Sequence, residues 1–131
     1  MGWAVIRATE MERNRNPTAG LASYLAGMEI IISSRHTDVS PAVERTVHDK
    51  IGRLQRFDHE VRRARVHFNH EATARLADRE TCEVLLEANG ERFVSRVAGP
   101  DQFTAIDLAV AKLEHQLSRS RLRRTGRSRA V

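Results

Sequence analysis

The amino-acid patterns predict an α+β domain of order β-α-β-β-β-α: a four-stranded sheet with two helices packed on one face. Three observations carry this reading. Apolar residues recur at helical spacing in two stretches, 41–56 and from 101 to about 122. Segments with a period of two lie between them. Asn89-Gly90 separates two of those segments, as a tight hairpin requires. A sheet with alternating faces needs one covered side, and both helical stripes need a surface to cover. Both helices therefore belong on the same side, and the other sheet face stays wet.

Met28 to Arg35 (MEIIISSR) is rich in β-branched isoleucine and reads as the opening strand. Ser40-Pro41 then starts a helix, with Ser40 as N-cap and Pro41 at the first helical position. Glu44 follows where the helix dipole favours an acid. Val43, Val47, Ile51 and Leu54 form its apolar stripe. From Val61 to His70, Ala64, Val66 and Phe68 point one way, while Arg63, Arg65 and His67 point the other. After a patternless loop from Glu71 to Asp78, a strand from Glu80 to Ala88 places Cys82, Val84, Leu86 and Ala88 on one face. The Asn89-Gly90 turn sends the strand from Glu91 to Ala98 back antiparallel. Gly99-Pro100 breaks the sheet, Asp101 is placed as N-cap, and Phe103, Ile106, Val110, Leu113 and Leu117 form the last stripe. Those stripes are expected to be buried against Val66, Phe68, Val84 and Leu86.

The ends read differently. Residues 1–27 hold a polar stretch with Pro17 and a short apolar stretch, LASYLA, between Gly20 and Gly27. The expectation is a flexible N-terminal extension over 1–27, a folded domain over 28–123, and a basic disordered tail over 124–131. Translation starting at Met28 would still give the whole patterned domain.

Composition narrows the function. The chain has 131 residues with 40% hydrophobic and only 5% aromatic residues, so one aliphatic core is expected. No apolar run approaches the roughly 20 residues that span a bilayer, and the N-terminus lacks a secretory pattern. One cysteine, Cys82, rules out an intrachain disulfide and fits a reducing, cytoplasmic setting. Net charge is +5 and the pI about 10.6, which favours polyanionic partners. Among 22 basic residues only Lys50 and Lys112 are lysines. Arginine's planar fork suits phosphate.

The basic residues have a pattern. Opposite Val47, the first helix carries Arg45, Asp49, Arg53 and Arg56, with Lys50 on its flank. Opposite Val110, the last helix carries Lys112, His115, Arg119 and Arg123, and the tail adds further arginines. A single helix with a charged outer face is ordinary. Two on the same side, both biased to Arg and Lys, can follow a phosphate backbone. Few exposed aromatics argue for reading RNA shape rather than stacking on single-stranded bases. The candidate RNA-binding residues are Lys50, Arg53, Arg56, Lys112, His115, Arg119 and Arg123.

Chemistry has weaker support. His67 and His70 lie three apart on a strand and face opposite sides, and Cys82 is placed in the core, so no metal site is expected. There is no nucleophile motif, glycine-rich phosphate loop or cleft with paired acids. The reading is non-enzymatic, with no cofactor and no small-molecule substrate.

MEIIISSRHTDVSPAVE, HDKIGRLQRF and GPDQFTAIDLAVAKLEHQLSRSR together resemble the ribosome hibernation promoting factor family, which includes the ribosome-associated inhibitor called protein Y. The resemblance covers about residues 28–123, and the last-helix stretch is its most specific part. It implies a fold similar to a double-stranded RNA-binding domain. It also implies binding to the 30S subunit and its 16S rRNA, within the 70S ribosome, in the channel where mRNA and tRNAs sit. Such proteins keep idle ribosomes inactive. The resemblance places RNA contacts on Lys50, Arg53 and Arg56, and on Lys112, Arg119 and Arg123; where a relative has Arg, this chain has His115. With no second domain after a linker, the chain resembles the short form or the N-terminal part of a long one. Competing readings are a general double-stranded RNA-binding protein and a protein-interaction regulator of transcription, after an old family label that concerns an alternative sigma factor.

Overall fold

The computed structural model describes residues 21–25, 28–58, 60–88 and 90–130. Their elements are β1 (Leu21–Leu25), β2 (Met28–Arg35), α1 (Pro41–Phe57), β3 (Val61–His70), a 3-10 turn (Leu76–Asp78), β4 (Glu80–Ala88), β5 (Glu91–Gly99) and α2 (Gln102–Ala130). From β2 onward this is the expected β-α-β-β-β-α order. Strands follow one another across the sheet in chain order, from β1 to β5. Only β2 and β3 run parallel, because α1 carries the chain back between them.

Local chemistry sets the boundaries. Ser40 Oγ accepts the Val43 N–H at 3.2 Å, and Pro41 occupies the first turn of α1. At the other end the Asp58 N–H donates to the Leu54 carbonyl at 2.9 Å, while Asp58 Oδ1 accepts the Glu60 N–H at 3.0 Å. That pair of bonds turns the chain out of α1 into β3. Ala88 faces Glu91 across the β4–β5 hairpin, and Gly90 takes φ +77°, the left-handed value a type I′ turn demands. Asp101 Oδ1 accepts the Thr104 N–H at 2.7 Å and caps α2.

Register aligns the core in rows. Ile30, Ala64, Leu86 and Phe93 stand side by side across four strands; Ile32, Val66, Val84 and Ser95 form the next row. Val43, Val47, Ile51 and Leu54 of α1 and Ile106, Val110, Leu113 and Leu117 of α2 cover this face, all buried. Ala105 and Ala109, also buried, let α2 approach the sheet closely. The two helices run parallel: Lys50 meets Asp107, and further along both helices Phe57 meets Arg121. The uncovered sheet face carries Arg63, bonded to Glu29 at 2.6 Å and reaching Glu87 at 3.5 Å.

Three features depart from the sequence reading. β1 pairs antiparallel with β2 and makes the sheet five-stranded, so sheet structure begins before Met28. The rest of the expected extension, residues 1–20 and 26–27, lies outside the described residues. Phe103, expected in the core, is 46% exposed. It sits in the first turn of α2, at the open rim of a shallow pocket shared with Thr37, Ser40, Val43 and Glu80. Finally, α2 continues to Ala130, past both the fade near Leu122 and the tail expected to be disordered. Helical hydrogen bonding can carry a polar segment onward without an apolar stripe.

Candidate nucleic-acid interface

The basic residues of α1 lie on its outer face and on its flank toward α2. Arg53 and Arg56 are exposed. Arg56 lies in the last turn, where the helix dipole favours a cation. Lys50 is more enclosed: its Nζ lies 2.6 Å from Asp107 Oδ1 on α2. The hydrogen bond from Lys50, its charge and, last, the nearby charge of Arg53 hold the Asp107 carboxyl below its usual range. Arg53 thus also stands beside the helix–helix seam.

Lys112, His115, Arg119 and Arg123 of α2 are exposed as expected. They do not, however, face α1. Asp107 and Arg121 mark the α1-facing flank of α2, through their contacts with Lys50 and with the Phe57 carbonyl. Glu114, midway between them at heptad spacing, shares that flank. Lys112 and His115 lie on the opposite flank, beside Arg96, Val97 and Ala98 of β5. The same side of α2 is pinned by Gln116, whose Nε2 donates to the Val94 carbonyl at 2.8 Å. The seven candidates therefore form two basic strips with an acidic seam, Asp107 and Glu114, between them.

Arg121 has a structural role that its place in a basic run does not reveal. Its Nη1 donates to the Phe57 carbonyl at 2.9 Å, and the guanidinium sits 5.3 Å from the Phe57 ring centroid. It closes the C-terminal end of α1 against α2. Asp107 escapes a sequence reading because its partner lies 57 residues away along the chain. Arg96 reads from sequence simply as a strand residue.

Elsewhere, His67 shares a 2.8 Å hydrogen bond with Ser33 on the wet sheet face, and His70 contacts Glu80. Burial pushes the Cys82 thiol up to about 12. Among the described residues, no helix is long and apolar enough to cross a membrane.

Comparison with known proteins agrees with this fold. Residues 30–125 match the family model described as sigma 54 modulation protein / S30EA ribosomal protein. A ribosome hibernation promoting factor from Acidithiobacillus ferridurans is 31% identical over 83 residues, which are 61% of this chain and all of that protein. Two solved structures share the fold. A ribosomal subunit interface protein from Coxiella burnetii superposes with a TM-score of 0.62 at 22% identity, covering 71% of this chain and 97% of that one. The N-terminal domain of Thermus thermophilus Protein Y gives 0.57 at 26% identity, covering 69% and 92%. With 96 of its 131 residues inside the family model, this chain belongs to the sigma 54 modulation protein / S30EA ribosomal protein family.

Proposed function

We propose that this protein is a ribosome-binding translation inhibitor. It docks on the 30S subunit, lies against 16S rRNA in the mRNA and tRNA channel, and keeps idle 70S ribosomes inactive. The observation that carries the reading is the pair of basic strips on one helical layer of a chain that belongs to this family. Lys50, Arg53 and Arg56 form one strip, and Lys112, His115, Arg119 and Arg123 the other. Two strips separated by an acidic seam suit two phosphate tracks better than one continuous backbone. Each neutralised phosphate releases counterions, so binding should weaken steeply with salt. Contact with folded RNA would be through shape and phosphate, as befits a sheet-backed helical layer with few exposed aromatics.

The test is sedimentation of a stationary-phase lysate through a sucrose gradient, with the protein detected in each fraction. The reading expects it in the 30S and 70S fractions, and expects translation in a purified system to fall as it is added. Binding to any RNA duplex as tightly as to 30S subunits would replace it with a general double-stranded RNA-binding function.

A further inference from the structure

Between α2 and the edge strand β5 lies an open groove of about 530 Å³, within the size range of small-ligand sites. Its floor is aliphatic: Val97 and Ala98 from β5, Leu108 and Ala111 from α2. Leu108 is 44% exposed, a large apolar side chain that the fold leaves uncovered. Polar groups stand around the floor at two ends. Gln116 reaches Val94, and α2 begins just after Gly99, so the helix runs antiparallel to β5. Lys112 and His115 therefore lie toward Arg96, whose cross-strand neighbour is Glu83, while Leu108 lies toward Ala98 and the Asp78 carboxylate, whose Oδ2 accepts from Arg75 at 3.2 Å. Among the described residues, Arg96, Lys112 and His115 form no ion pair, whereas Lys50 and Arg63 are engaged by acids.

We infer that this groove holds one unpaired nucleotide of an RNA strand. Its phosphate sits among Arg96, Lys112 and His115, and its base lies on Leu108 and Val97, toward Asp78. The inference rests on the ribosome-binding reading and adds to it a point of contact with single-stranded RNA. An aliphatic floor between a cationic end and an acidic end matches a nucleotide, which has an anionic end and a flat, largely apolar face whose edge bears N–H donors. One oxygen of Asp78 is bonded to Arg75; the other can accept a hydrogen bond from the N–H donors of a base edge. Arg96 can place its planar guanidinium against the base as well as bind phosphate. A purely electrostatic surface would not need Leu108 left open.

The test is an NMR titration of the isotope-labelled full chain with a short single-stranded oligoribonucleotide, the same sequence as a blunt duplex, and inorganic phosphate. Single-stranded RNA should shift the amides of Ala98 and Leu108 as well as those around Arg96, Lys112 and His115, and phosphate alone should shift only the latter. Leu108→Glu removes an apolar contact and places an anion beside the RNA strand, and should weaken the oligonucleotide roughly tenfold. Arg65→Glu, on the open sheet face, should leave the titration unchanged. Leu108 is half-exposed, so its variant should fold, and the spectrum itself reports whether it does. Equal shifts with duplex, shifts from phosphate as large as those from RNA, or wild-type affinity in Leu108→Glu would overturn the assignment. Sedimentation with 30S subunits is scored separately. Groove shifts without ribosome binding would sink the ribosome reading alone; ribosome binding with a silent groove would sink the groove alone.

Discussion

Lys50 Nζ and Asp107 Oδ1, 57 residues apart in sequence, meet at 2.6 Å and join the two parallel helices across their exposed seam. The pair places an acid inside the surface that the basic residues would present to RNA. Asp107 is well exposed, so water screens the bond and its contribution to folding is small, within about 1 kcal/mol. Asp107→Asn should leave the melting temperature nearly unchanged and tighten 30S binding, because Lys50 is released and a repulsive charge is removed. Thermal denaturation and a 30S titration measure the two effects. Weaker binding by the variant would mean that Lys50 must be held by Asp107 to act.

His48 on α1 offers a pH readout. Burial lowers its pKa below 6.5, and the nearby Asp49 only partly offsets this. The folded value is the lower one, so the unfolded chain takes up the proton more readily. The stabilising contribution is complete above about pH 6.5 and is lost as pH falls through the lower folded value. His48→Gln should flatten the fall in stability as the pH drops below about 6.5, measured by denaturant unfolding. An unchanged slope would show that other groups dominate.

Cys82 is fully buried, with its thiol pushed up to about 12, so almost none of it is thiolate at neutral pH. A thiol reagent should fail to label the native protein and label it completely in denaturant. Rapid labelling without denaturant would show that the sheet opens around β4.

Phe68 lies in the middle of the core, fully buried and level with Ser34 and Cys82 across the sheet. Phe68→Ala should cost about 3–5 kcal/mol in chemical denaturation. Phe103→Ala, at a position 46% exposed, should cost far less. Similar losses for the two would contradict the placement of Phe103 outside the core.

The contrast between those two phenylalanines shows where sequence patterns inform and where they stop. Ala64, Val66 and Phe68 alternate along a strand, and Val43, Val47, Ile51 and Leu54 repeat along a helix; each period names the buried face directly. Phe103 fits the α2 stripe equally well, yet it stands at an open rim with Thr37, Ser40, Val43 and Glu80. β1 is hidden from such patterns because LASYL has no clean alternation and is held by pairing with β2. The basic residues are legible as two helix faces. Which neighbour each face meets is not, since the contacts Lys50–Asp107 and Gln116–Val94 arise only once the helices are docked.

Whether the helical layer or the open sheet face meets ribosomal RNA is decided by filter binding to purified 30S subunits at several salt concentrations. The variants are Arg53→Ala, Lys112→Ala and Arg119→Ala combined, against Arg65→Glu on the open sheet face. All four positions are exposed, so folding should be little affected. If the helical layer binds, the combined helix variant holds 30S more weakly, and its salt dependence flattens by roughly one unit for each phosphate it no longer neutralises. Arg65→Glu should bind as the parent does. Parental affinity and salt slope in the helix variant, together with abolished binding in Arg65→Glu, would refute the helical interface and move it to the sheet.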